Sequence, residues 1–110
     1  MLLISAQPGD EVMESLSRQL EERGVANGAI VSLVGAVDAC GISNMPRGDA
    51  SRDILTEYRQ PFELSGTGEV KDGVLHLHVV LGGEGDAALA GHLHWAQVET
   101  FFVNAYVIPM

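Results

Sequence analysis

The sequence contains a single cysteine, Cys40, among its 110 residues. A lone cysteine excludes a disulfide within the chain, and we expect it to be a small buried hydrophobe in a reducing compartment. No apolar run reaches the ~18 residues of a membrane span, and the apolar segment Met1–Ile4 has no basic signal-peptide region before it. These absences predict a soluble cytoplasmic protein.

Basic residues are also scarce, with 6 Lys and Arg against 15 Asp and Glu, for a net charge of -9. This balance repels phosphate backbones and disfavours direct nucleic-acid binding. The chain has 46% hydrophobic and only 19% charged residues, which argues against disorder. We therefore predict one folded domain over residues 1–110.

The hydrophobic periodicity predicts one helix followed mainly by strands. Asp10 is placed to cap a helix over residues 10–23, and Gly24 to end it. Apolar residues at helical spacing form its core-facing stripe: Val12, Met13, Leu16 and Leu20. A short strand is expected before Pro8, and residues 44–53 are expected to form a loop. Alternating or β-branched segments predict further strands at 29–37 (one strand, or two bent near Gly35), 54–58, 62–70, 74–81, 89–95 and 98–108.

All four histidines lie in two His-x-His pairs, His76-Leu77-His78 and His92-Leu93-His94. Residues two apart on a strand face the same side, so each pair presents two imidazoles together. The acidic, glycine-rich segment 82–86 between the pairs predicts a hairpin turn. If that turn centres on residue 84, His76 lies opposite His92, and one face of the hairpin carries a histidine cluster.

A cluster of neutral imidazoles is typical of a zinc or other divalent-metal site, which commonly uses three protein ligands and leaves a position open. We take His76, His78, His92 and His94 as candidate ligands; the alternative is that they are solvated or packing histidines. Glu69 precedes the Lys71-Asp72-Gly73 turn, which is expected to pair residues 62–70 with the first histidine strand. A carboxylate there is our candidate general base, although a solvated strand face is the simpler explanation of the same pattern.

The opposite faces of the two histidine strands are apolar: Leu75, Leu77, Val79 and Leu81 on the first, and Leu89, Leu93 and Trp95 on the second. The last strand, 98–108, is apolar on both faces. One helix covers only one face of such a sheet. We therefore expect the other face to be buried against copies of the chain in a closed cyclic oligomer.

Five segments together resemble the PPC (plants and prokaryotes conserved) domain family: Pro8–Leu16, Gly28–Val37, Phe62–Gly68, His76–Leu81 and Ala90–Leu93. The resemblance implies an α+β domain, mainly an antiparallel sheet of about seven strands with one main helix, assembled as a homotrimer. It also implies a fold similar to acetolactate decarboxylase, a zinc enzyme. Carried over by motif, the ligands of that enzyme fall on His76, His78 and His92, and His94 has no counterpart.

The sequence is compatible with three functions. The first is a divalent-metal site that holds a small anionic or carbonyl ligand, with a possible lyase or hydrolase activity. The second is a non-enzymatic regulatory module that acts through protein partners. The third, DNA binding, is the weakest, because the family's DNA-binding label depends on an Arg-Gly-Arg-Pro AT-hook, and this chain has only Pro46-Arg47-Gly48-Asp49.

Overall fold

One helix and eight strands make up the computed structural model, which describes all residues, 1–110. In chain order the elements are β1 (Leu2–Ala6), α1 (Val12–Glu22), β2 (Gly28–Val37), β3 (Ala39–Asn44), β4 (Ile54–Tyr58), β5 (Phe62–Lys71), β6 (Val74–Gly82), a 3-10 turn (Glu84–Asp86), β7 (Ala88–Gln97) and β8 (Val103–Pro109). The strands form one antiparallel sheet in the order β1-β8-β2-β5-β6-β7-β3-β4. The α+β class is confirmed, with eight strands where about seven were expected.

Helix α1 begins two residues later than predicted because Glu11, and not Asp10, is its N-cap. The Glu11 carboxylate accepts hydrogen bonds from the backbone N–H groups of Met13 and Glu14, each at 2.9 Å. Asp10 instead accepts from the N–H of Gln7 at 2.8 Å, within the preceding turn. The predicted stop is confirmed, since Gly24 follows the helix with a φ of +69° that favours glycine.

The hydrophobic core lies between α1 and one face of the sheet. The helix buries Val12, Leu16 and Leu20 and packs against β1, β6 and β7. Four residues of β6 point into this core, with exposed fractions of 8, 0, 2 and 0%: Leu75, Leu77, Val79 and Leu81. The predicted apolar face of β6 is therefore confirmed. Cys40 is fully buried as expected, and burial raises the pKa of its thiol to about 11.

The single-strand alternative for residues 29–37 is confirmed, and the prediction for the last strand needs correction. Residues 28–37 form one continuous strand, whose irregularity lies between Ile30 and Leu33 and not at Gly35. The last strand begins at Val103, not at residue 98, because the chain turns first: the Asp38 carboxylate accepts hydrogen bonds from the N–H groups of Glu99 and Thr100. None of the helices has the length and apolarity that crossing a membrane requires.

Candidate metal centre

The hairpin of β6 and β7 determines which histidines are neighbours. The turn encloses five residues between the paired Gly82 and Ala88, so it centres on residue 85 and not on 84. His78, rather than His76, therefore lies opposite His92. The predicted pairing of His76 with His92 is wrong, but the shift amounts to two positions along the partner strand, which leaves the imidazoles on one face.

Three of the four histidines converge, and we call His76, His78 and His92 the histidine trio. One ligand nitrogen from each lies within 4.8 Å of the others. The Nε2 atoms of His76 and His78 are 3.1 Å apart, and the ring centroids of His76 and His92 are separated by 4.6 Å. His76 and His78 are exposed and His92 is half-buried, so the trio opens to solvent.

The trio fits the donor set of a zinc ion. Tetrahedral zinc with Zn–N bonds of about 2.0–2.1 Å holds its nitrogen ligands about 3.3 Å apart. The 3.1 Å separation within the first pair is close to that value, and a nitrogen of His92 lies within 4.8 Å of both. His76, His78 and His92 are therefore the residues that could hold a metal.

His94 lies beside the trio with a different partner. Its Nε2 is 2.7 Å from the hydroxyl oxygen of Ser43, a buried residue of β3, while its ring centroid is 4.8 Å from that of His92. The structure thus brings His94 next to the cluster without adding it to the three converging nitrogens.

A β-bulge near His94 corrects the predicted side of Trp95. Gly41 pairs with Trp95 and Ile42 with Leu93, so His94 is an extra residue on β7. Trp95 consequently lies over Gly41, where an added Cβ would be only 2.4 Å from the indole nitrogen, and donates that N–H to Glu57. Trp95 is on the histidine face and not in the core, whereas Leu93 is buried as predicted.

Glu69 lies at the edge of the candidate site. Strands β5 and β6 pair through the Lys71-Asp72-Gly73 turn as predicted, with Glu69 opposite His76. Its side chain is exposed and makes no hydrogen bond to any of the histidines. The proximity that the sequence indicated is present, and a catalytic role for Glu69 remains a prediction.

A groove with a volume of about 970 Å³ runs along the exposed sheet face beside the histidines. His78 and His92 line it, together with Ser43 and the loop residue Asp53. Its other walls are mainly small or apolar side chains, among them Val31, Val34, Met45, Val80 and Ala90. A ligand bound near the trio would therefore have space on one side.

The electrostatics of the site favour neutral imidazole at His92. Partial burial, followed by the charges of His76, His94 and His78, lowers the pKa of His92, and Asp53 opposes this effect. Neutral imidazole is the form that binds a metal. The local environment thus holds His92 in its ligating form.

The family assignment follows from the match over the whole fold. The sequence profile of the Plants and Prokaryotes Conserved (PCC) domain matches residues 1–109. The chain belongs to this family. The PCC domain is the PPC domain of the sequence resemblance, which is thereby confirmed. None of the curated proteins matches the chain.

Solved structures with this PPC fold include three informative neighbours. A candidate DNA-binding protein from Bacteroides thetaiotaomicron is 23% identical with a TM-score of 0.83, and the match covers 97% of this chain and 76% of that one. A metal-containing protein from Archaeoglobus fulgidus is 30% identical with a TM-score of 0.77, over 98% and 77% of the two chains. A Staphylococcus aureus protein of unknown function, similar to alpha-acetolactate decarboxylase, is 12% identical with a TM-score of 0.64, over 99% and 52%.

The residues of this PPC domain that approach the histidines from β3 and the loop after it are not predicted by any sequence pattern. Ser43 and Asp53 reach the site because β3 pairs with β7. Neither residue lies in a motif. The β-branched and glycine-rich character of residues 28–43 predicts a strand, but it does not predict which other strand pairs with it.

Proposed function

We propose that this PPC domain binds a divalent metal ion, zinc in the first instance, through His76, His78 and His92. The proposal depends on one observation, the convergence of three imidazole nitrogens within 4.8 Å on one sheet face. The Archaeoglobus fulgidus neighbour, 30% identical, is a metal-containing protein, which supports it. His94 is left outside the ligand set because its Nε2 is engaged with Ser43.

The proposed chemistry is that of a small lyase or hydrolase. A zinc ion held by three protein ligands acts as a Lewis acid toward an oxygen-bearing anionic or carbonyl ligand. Near this site, the hydroxyl oxygen of Ser43 lies 2.7 Å from Nε2 of His94 and holds that ring in place. Glu69, which pairs with His76 across the strands, has an exposed carboxylate. The chain's own residues would thus hold the metal and supply one carboxylate that can accept a proton.

We also propose that the chain assembles as a homotrimer. Apolar side chains that do not line the groove are 40–60% exposed: Ile54, Leu55, Phe101, Phe102 and Ile108. Burying them against neighbouring copies removes apolar surface from water. Light scattering at micromolar concentration is expected to give three times the chain mass of 11.7 kDa, and a monomer would contradict the proposal.

DNA binding does not follow from the name of the Bacteroides thetaiotaomicron neighbour, because likeness at 23% identity shows the fold alone. The net charge of -9 opposes it. We therefore expect no mobility shift of DNA at low salt; a shift would require a basic surface elsewhere in the assembly.

Metal analysis of protein made without a histidine tag tests the metal site. After equilibration with zinc and removal of the excess, we expect one zinc per chain for the wild type. His76→Ala and His92→Ala should lose it because each removes a ligand, whereas His94→Ala, a matched change on β7, should retain it. A wild type without stoichiometric metal would refute the proposal.

A further inference from the structure

The strand register places a row of mainly apolar side chains, the apolar row, directly beside the row that holds two of the three proposed metal ligands, His78 and His92. His78 lies opposite both Thr67 and His92, and His92 lies opposite Ser43. Two residues further along β6, Val80 lies opposite Ser65 and Ala90, and Ser65 lies opposite Val34. Two residues along a strand span about 6.6–6.8 Å, so a short aliphatic chain reaches from one row to the next.

The apolar row is accessible on the side facing the groove. Val34 and Val80 are 51% and 47% exposed, and both line the groove, as does Ala90. The corresponding position on the other side of the histidine pair, Val74, is 68% exposed but does not line the groove. Strand β6 therefore has one valine inside the groove and one outside it, on the same face.

The charges of the groove restrict the ligand further. None of its 18 lining residues is Lys or Arg, and Asp53 is its one carboxylate. A second negative group on a ligand would have no cation to pair with and would meet Asp53 within the groove, in a chain of net charge -9. Desolvating such a group with only hydroxyl and amide donors nearby, and no cation, is unfavourable.

We propose that the site selects small aliphatic compounds with one carboxylate or carbonyl group, which binds at the metal while an uncharged tail lies along Val80, Ala90 and Val34. The inference rests on the proposed metal site and names its ligand class. Dicarboxylates are disfavoured because their second carboxylate would lie on the apolar row, where the groove offers no Lys or Arg.

Cobalt(II)-substituted protein provides a binding readout that does not require turnover, because ligand binding changes its visible absorption. Acetate, hexanoate and adipate are the probes; hexanoate and adipate have equal chain length, and adipate adds a second carboxylate. Each buried methylene strengthens binding about fourfold, so with part of the tail covered we expect hexanoate to bind about tenfold more tightly than acetate. Adipate should bind more weakly than hexanoate.

Three variants locate the effect. Val80→Ser should reduce the hexanoate-to-acetate ratio severalfold, while Val74→Ser, the same change on the same face outside the groove, should leave it unchanged. Asp53→Asn should reduce the ratio of hexanoate affinity to adipate affinity, because it removes the negative charge that the second carboxylate of adipate would meet. The mass of each variant is measured in parallel, since a change of oligomeric state in Val80→Ser would indicate that a second copy covers the row and would overturn the inference.

The two proposals fail in different ways. If the protein takes up no cobalt, the metal site is refuted and the ligand class falls with it. If cobalt binds stoichiometrically but hexanoate binds no more tightly than acetate, or adipate binds as tightly as hexanoate, only the proposed ligand class is refuted.

Discussion

The two faces of β6 come from alternate residues of one strand and have different physical roles. On the core face, Leu77 and Leu81 are fully buried under α1. On the other face, His76 and His78 are exposed and point their ring nitrogens toward each other. Stability therefore depends on the core-facing side chains of β6, and the proposed metal chemistry depends on the side chains of its exposed face. Substitutions at adjacent positions should therefore separate the two properties.

The largest effect is expected on the core face. Leu77→Ala removes a side chain with 0% exposure and leaves a cavity, which should lower the free energy of unfolding by about 2–5 kcal/mol. Urea denaturation of metal-free protein measures it. His76→Ala, the neighbouring change on the exposed face, is the control and should cost no more than about 0.5 kcal/mol. An equal loss of unfolding free energy in the two variants would contradict the different roles of the two faces.

The separation of these faces was predictable from sequence because it depends only on strand alternation. Leu75, Leu77 and Val79 alternate with the histidines, so the pattern assigned each to its side without any knowledge of the fold. Trp95 broke the rule because a β-bulge inserts one residue into β7, and a bulge has no signal in this sequence.

The partners of the histidines were less predictable than their faces. His78 pairs with His92 because the turn takes five residues, with Gly85 at a φ of +76°, and the several glycines of this segment allow more than one turn. Ser43 contacts His94 across 51 residues of sequence. Such a contact depends on the order of strands in the sheet, which local periodicity does not encode.

A smaller effect is expected from the metal on the exposed face. At a free zinc concentration one hundred times the Kd, the free energy of unfolding of the wild type should rise by about 2.7 kcal/mol, because zinc binds the folded site. His78→Ala removes a ligand and should abolish this rise while leaving the metal-free stability close to that of the wild type. Denaturation with and without zinc measures both quantities, and a zinc effect that survives in His78→Ala would place the metal elsewhere.

A still smaller effect distinguishes His94 from the histidine trio. Ser43→Ala removes the 2.7 Å hydrogen bond to His94 and should cost about 0.5–1.5 kcal/mol of unfolding free energy. Zinc stoichiometry should not change, because the three converging nitrogens do not include His94. Denaturation and metal analysis of the same sample test both statements. Loss of zinc in Ser43→Ala would show that His94 belongs to the ligand set.

The smallest effect is the pH dependence of the exposed face. Partial burial, and then the neighbouring imidazoles, lowers the pKa of His92 in the folded protein, while the unfolded chain titrates it near the ordinary value of about 6.5. Between these two values the unfolded chain binds more protons than the folded one. The contribution of His92 to stability is therefore complete above about pH 6.5 and is lost as the pH falls toward the folded pKa.

Urea denaturation of metal-free protein at a series of pH values through this window measures the slope of stability against pH. The wild type should lose stability on acidification, and His92→Gln, which removes the titrating group, should lose less. The core face contributes no histidine, so Leu77→Ala should keep the wild-type slope at its lower stability. Equal slopes in the wild type and His92→Gln would mean that neither burial nor the neighbouring imidazoles lower the pKa of His92 in the folded protein, and the metal proposal would lose its electrostatic support.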